Sequence, residues 1–191
     1  LFMFINNKLI ASQDDILFQN ISIEDGLSQN TCFCIHQDSK GFMWFGTEDG
    51  LNRYDGNKFR IYTKDLKDPN SIAANYILSI FEDNQGTLWI GTDGGGLNQY
   101  DPNKENFIRY LHNPNNQNSL SHNRVNTICA DDSGNLWIGT NGGGLDKLNP
   151  KTKEFTHYIH DSNNPKSISS NNVNSVLFDK SGFLWIGTEN G

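Results

Sequence analysis

The sequence has no cluster of Lys and Arg: 15 basic residues are scattered among 22 acidic ones, giving a formal charge of −7. Nucleic acid and anionic lipid both want a positive field, so neither is expected as a partner of this segment. Cysteine is scarce and odd in number: Cys32, Cys34 and Cys129 show no CxxC and no paired histidine spacing. That pattern carries neither a disulfide framework nor a zinc signature. After the first dozen residues nothing approaches the ~20 apolar residues of a membrane span. A helical period of 3.6 is missing as well. The glycines of "GTLWIGTDGGGLNQYDPN", Gly86 to Asn103, lack the Lys-Ser/Thr pair and the following helix of a phosphate-binding loop. They lead instead into a short strand closed by a turn at Pro102.

What is abundant is turn chemistry, with 27 Asn and 18 Gly in 191 residues. A chain of this length buries about 70% of the surface its unfolded form exposes, so a core needs no metal or disulfide. The composition implies many short strands joined by many turns.

The chain repeats itself. "GFMWFGTEDGLNRYD" from Gly41 recurs as "GTLWIGTDGGGLNQYD" from Gly86, "GNLWIGTNGGGLDKLN" from Gly134 and "GFLWIGTENG" from Gly182. Trp44, Trp89, Trp137 and Trp185 stand 45, 48 and 48 residues apart, each followed two residues later by Gly46, Gly91, Gly139 or Gly187. The pairs Phe59/Tyr62, Phe107/Tyr110 and Phe155/Tyr158 repeat too, as do the runs "NTCFCIHQD", "NYILSIFED", "NRVNTICAD" and "NNVNSVLFD". A period of 45–48 with four β-rich runs per unit predicts an all-β fold: a β-propeller with four-stranded antiparallel blades.

Strand one is the run ending in Asp38, Asp83, Asp131 or Asp179; its apolar positions fall on both parities, which places it at the axis, buried on both faces. The turns "DSKG", "DNQG", "DDSG" and "DKSG" have Asp first and Gly fourth, as a type I turn requires. Strand two carries the Trp, whose body would fill the wedge between blades and whose indole N–H needs a partner. Strand three follows the Gly-rich turn, and the Phe/Tyr pair marks the outer strand four. The cysteines occupy strand-one packing positions. His36 and His157 vary between copies, and no His repeats with a carboxylate or Ser as a triad or metal cluster would need.

Blades are expected at about residues 30–62, 75–110 and 123–158, with 171–191 an incomplete fourth, so that 18–191 form a partial ring of three blades and half of another. Residues 18–21, "FQNI", look like an orphan outer strand completing the last blade of an intact ring. Residues 1–12 read as the tail of a secretory signal peptide cut near Ala11 or Ser12, the other reading being an ordinary apolar strand.

The repeated "DxxGxLWIGTxxGGL" resembles the two-component regulator propeller repeat, in four copies spanning residues 18–191. "ISIEDGLSQNT", Ile21 to Thr31, is similar to the start of the periplasmic sensor region in that family. The resemblance implies consecutive propellers followed by an immunoglobulin-like domain, one membrane span and a histidine kinase or another output domain. On that reading the chain itself is no enzyme and has no cofactor or catalytic residue. It would be an extracytoplasmic sensing module on the periplasmic side of the inner membrane, attached only through downstream parts and dimeric in the intact sensor. Carbohydrate is the expected signal; a scaffold for protein contacts is the alternative.

Chain direction puts the Gly-rich turns, 48–50, 93–96, 141–144 and 189–191, on one face with the connectors 63–74, 111–122 and 159–170. Loops on a rigid scaffold are where recognition usually sits. Tyr76, Arg124 and Asn172 begin equivalent strands and differ between blades. With Asp93 and Asn141 they are the candidate ligand or partner residues.

Overall fold

The computed structural model describes residues 2–3 and 18–190. Short strands β1 (Phe2–Met3) and β2 (Gln19–Asn20) pair antiparallel. The rest of the signal-like segment lies outside the described residues. A 3-10 turn, Ile23–Asp25, is closed by a capping box between Ser22 and Asp25 and ended by Gly26 in the left-handed conformation.

Three four-stranded antiparallel meanders follow. The first is β3 (Cys34–Gln37), β4 (Met43–Gly46), β5 (Leu51–Tyr54) and β6 (Phe59–Tyr62). The second is β7 (Ile77–Glu82), β8 (Leu88–Thr92), β9 (Leu97–Asp101) and β10 (Asn106–Tyr110). The third is β11 (Val125–Ala130), β12 (Leu136–Thr140), β13 (Leu145–Asn149) and β14 (Glu154–Tyr158). The fourth unit contributes β15 (Val173–Phe178) and β16 (Leu184–Thr188). The first strands β3, β7, β11 and β15 pack against one another in sequence, as blades fanned around an axis must. Only in blades 2 and 3 are these strands well covered. β3 alternates half-buried and exposed, and β15 is mostly open; among the described residues each packs against one neighbouring blade.

Two repeated contacts join the blades. The strand-two Gly of each of the first three units is a notch for the β-branched residue that opens the next blade. A Cβ on Gly46, Gly91 or Gly139 would stand 2.7, 2.6 and 2.7 Å from a γ-methyl of Ile77, Val125 and Val173 respectively. The tryptophan fills the wedge beside it. Trp44 and Trp89 are fully buried, and Trp44 meets Tyr100 of blade 2 edge-on at 5.1 Å between ring centroids. Trp185, which has no following blade against it, is 63% exposed.

The indole partner is the turn aspartate in every unit. Trp44, Trp89, Trp137 and Trp185 each donate Nε1–H to Oδ2 of Asp38, Asp83, Asp131 and Asp179, at 2.8, 2.9, 3.1 and 2.7 Å. The other carboxylate oxygen takes two backbone N–H groups of the turn, as Asp83 does from Gln85 and Thr87. The type I reading of these turns holds, with Gly86 N–H donating to the Asp83 carbonyl at 2.9 Å. These acids are structural acceptors. Bonds from the Trp185 indole and the Phe183 amide hold the Asp179 carboxyl below the usual range.

Candidate functional site

The Gly-rich turns and the long connectors do share a face. Gly95 is pressed against the backbone of Ala73 and Ala74 at the end of one connector, where a Cβ would come within 2.7 Å. Gly143 sits in the same way against Ser121 and His122. Gly96 and Gly144 have positive φ and face the carbonyls of Tyr110 and Tyr158, so they serve close approach as well as chain reversal. Gly94, at φ +82°, has open space around its Cα and supplies the turn alone.

Each connector is fastened by one repeated asparagine. Asn75, Asn123 and Asn171 accept, through Oδ1, the backbone N–H of Lys64, His112 and His160 at 2.7 Å each. Ser71, Ser119 and Ser167 close the middle of the loop by accepting from Asp65, Asn113 and Asp161. A second set lies beneath. Asn52, Asn98 and Asp146, all fully buried on strand three, accept the N–H of Ser28, Ala73 and Ser121 at 2.9, 3.0 and 2.8 Å. The loop face is thus a polar lattice on a rigid frame, not a loose fringe.

The five candidate residues form one row along the inner rim of this face. The carbonyls of Tyr76, Arg124 and Asn172 accept from the N–H of Asp93, Asn141 and Glu189, tying each strand start to its blade's turn. The Arg124 guanidinium reaches back to Asp93 at 3.1 Å, linking blade 3 to blade 2. Asn141 forms an antiparallel bridge with Asn172, linking blade 3 to the fourth unit. The Tyr76 ring packs on Phe33 of blade 1 at 4.8 Å. The side chains are partly exposed, so an aromatic ring, a cation, a carboxylate and two amides are presented in series. Such a row can stack on and hydrogen-bond a polyhydroxylated ligand.

Blade 3 holds a feature that sequence reading missed. His157 on β14 stands opposite Asp146 on β13. Its Nδ1 is 2.6 Å from Asp146 Oδ1, and its Nε2 is 2.8 Å from the carbonyl oxygen of Gln117 in the connector. The bond to Asp146 raises the His157 pKa, outweighing partial burial, which lowers it. The signal was present: Asp146 occupies the slot held by Asn52 and Asn98, and a buried charge there requires a partner. In blade 2 the position of His157 is taken by Arg109, which holds its connector through the Ser71 and Asp68 carbonyls at 2.8 and 2.9 Å.

The cysteines are packing residues, as expected. Burial first, and the neighbouring Cys32 second, push the Cys34 thiol up to about 12; burial raises Cys129 to about 11. Thiolate is the reactive form. Alkylation of Cys34 and Cys129 at pH 8 is therefore expected to be slow until the chain is unfolded, which mass spectrometry of iodoacetamide-treated protein checks; rapid labelling of native Cys34 would contradict the assignment. Among the described residues no group of three or more His, Cys, Asp or Glu is placed to hold a metal ion.

Comparison with known proteins agrees with this architecture. The sequence profile described as "two component regulator propeller" matches residues 26–49, 71–94, 119–142 and 167–190, half of the chain. The chain is 33% identical, with a TM-score of 0.80, to the extracellular domain of a protein of B. thetaiotaomicron described as a hybrid two-component system. It covers 89% of this chain and 24% of that one. A second such extracellular domain from B. thetaiotaomicron gives 26% identity and a TM-score of 0.74, over 93% of this chain and 23% of that one. "Histidine kinase P4" of Formosa agariphila is 41% identical over 73 residues, 38% of this chain and 5% of that protein. The chain thus spans about a quarter or less of each of these three relatives. The WD40 propeller of Doa1, at 11% identity and a TM-score of 0.63, shares the fold alone. With four repeat matches at the spacing of the four Trp–Asp units, the chain belongs to the two-component regulator propeller family.

Proposed function

We propose that this propeller arc is part of the extracytoplasmic sensor region of a membrane-bound two-component signalling protein, and that carbohydrate-related signals are met on its loop face. The observation that carries the reading is the 33% identity, over 89% of this chain, with the extracellular domain of a described hybrid two-component system. Kinase activity would reside in other parts of the parent protein, on the far side of a bacterial inner membrane. The row from Tyr76 to Asn172 supplies stacking and hydrogen-bonding groups with little net charge, which suits neutral sugar hydroxyls. The signal would cross the membrane as a change in the arrangement of a homodimer.

Calorimetry of the complete extracytoplasmic region against a panel of glycans tests this reading. A saturable heat with at least one glycan is expected, weakened at least tenfold by Tyr76→Ala combined with Arg124→Ala. Silence across the panel would sink the sensing role and leave a scaffold for protein contacts. Unchanged affinity in the double variant would remove the row from the site.

A further inference from the structure

Both ring nitrogens of His157 face acceptors, the Asp146 carboxylate at 2.6 Å and the Gln117 carbonyl at 2.8 Å. A carbonyl cannot donate, so satisfying both bonds takes one proton more than a neutral imidazole beside an ionised carboxylate carries. Whichever partner holds the shared proton, losing it breaks one bond. Asp146 is the stronger acceptor and is fully buried, with its second oxygen already taking the Ser121 N–H, so the Nδ1–H remains with it. The bond that fails is the one to Gln117, in the connector.

We propose that the His157–Asp146 pair is a proton-operated clamp on the connector 111–122: protonated, it holds the Gln117 carbonyl and tightens this part of the loop face; deprotonated, it frees that carbonyl and loosens the stretch around it, while Asn118, Ser121 and Asn123 keep the connector attached. The connector walls a groove of about 460 Å³ lined by His112, Asn113, Gln117, Gly142, Gly143 and Ile159. The clamp would therefore set access to the loop face, and in that respect it rests on the function proposed above. The clamp itself can be read without any ligand.

The same molecule contains the control. In blade 2 the corresponding connector is held by Arg109 in place of an imidazole, and arginine as a residue type keeps its charge at every pH at which proteins stay folded. Blade 1 has Ile61 at this position, opposite Asn52. The other titratable groups around His157 are Tyr158 on its own strand, His112 on the clamped connector and His160, Asp161 and Lys166 on the next one. His112 and His160 keep Nδ1 on carbonyls of their own connectors, Leu120 and Ile168, each at 2.8 Å. The raised His157 pKa places release above the ordinary histidine value: the clamp is closed below it and opens as pH rises through the folded value.

Hydrogen exchange with mass spectrometry on the full-length protein tests this, with rates corrected for intrinsic chemistry, between about pH 6 and about pH 9. Peptides covering 113–118 are expected to exchange about fivefold faster at the higher pH, the population change that loss of one ordinary hydrogen bond produces. Peptides covering 65–71 are expected not to change. Asp146→Asn restores the residue that blades 1 and 2 carry at this slot; its amide N–H can donate to a neutral Nδ1 and leave Nε2–H for Gln117, so slow, pH-independent exchange at 113–118 is expected. His157→Arg is expected to keep the connector protected at both pH values. No change in wild type, an equal change in both connectors, or a pH response surviving in Asp146→Asn would overturn the clamp. None of these results requires a glycan to bind.

Discussion

Replacing Gly91 by alanine is expected to cost about 3 kcal/mol of stability, the upper end for adding one methyl to a packed interior. The new Cβ would stand 2.6 Å from Val125 Cγ1 and 2.8 Å from the Val125 carbonyl, and it would press on Ser79 as well. Neither wall can withdraw cheaply. Val125 is fully buried and opens β11 in register with Thr140, so moving it shifts blade 3 against blade 2. The comparison is Gly41→Ala, at φ +90° with nothing within 4 Å, where only left-handed backbone strain of about 1–2 kcal/mol applies. Urea unfolding of both variants separates the mechanisms. If Gly91→Ala costs no more than Gly41→Ala, the notch is not what brings the blades together.

Truncating Trp89 to alanine should be costlier still, about 4 kcal/mol, as for a large aromatic removed from a closed core. Its ring is fully buried and packs near Tyr110 at 5.7 Å between centroids. Part of the loss belongs to Asp83, because the indole N–H and two turn amides converge on that carboxylate. Asp83→Ala alone should cost about 2 kcal/mol, since it leaves donors without their acceptor. The cost should shrink by about 1 kcal/mol in a Trp89→Phe background, where no indole N–H remains to be stranded. Strict additivity in this double-mutant cycle would show that the turn and the wedge are independent. Within this chain Trp185→Ala should cost under ~1 kcal/mol, because its ring is 63% exposed.

Much of the fold is legible because each unit repeats both its packing and its punctuation. Trp, Gly and the turn Asp recur at one spacing, and a four-stranded meander is the arrangement that uses all three. The interblade role of Gly91 is harder to read, since it depends on a residue 34 positions later, Val125, which only the closed geometry brings to it. The shared face of turns and connectors follows from chain direction, so the row of Tyr76, Asp93, Arg124, Asn141 and Asn172 could be located without coordinates. The ionic link between Arg124 and Asp93 could not, because it joins side chains of two different blades. His157 is not legible as a functional residue in the sequence, because the histidines do not repeat. The informative departure was Asp146, a charge in a slot where the other blades use a neutral amide.

The buried network also explains why the loop face can vary without the blades changing. Asn52, Asn98 and Asp146, fully buried on strand three, hold the backbone of Ser28, Ala73 and Ser121 from below.

The most direct measurement of the proposed sensing role is a hydrogen-exchange footprint of the parent protein's propeller region with and without each glycan of the calorimetric panel; no footprint with any of them would contradict the role. Protection confined to the connectors 63–74, 111–122 and 159–170 and the Gly-rich turns beside them is the predicted result. Protection centred instead on the "DxxG" turns at 38–41, 83–86 and 131–134, with the connectors unchanged, would contradict it and place recognition on the opposite face.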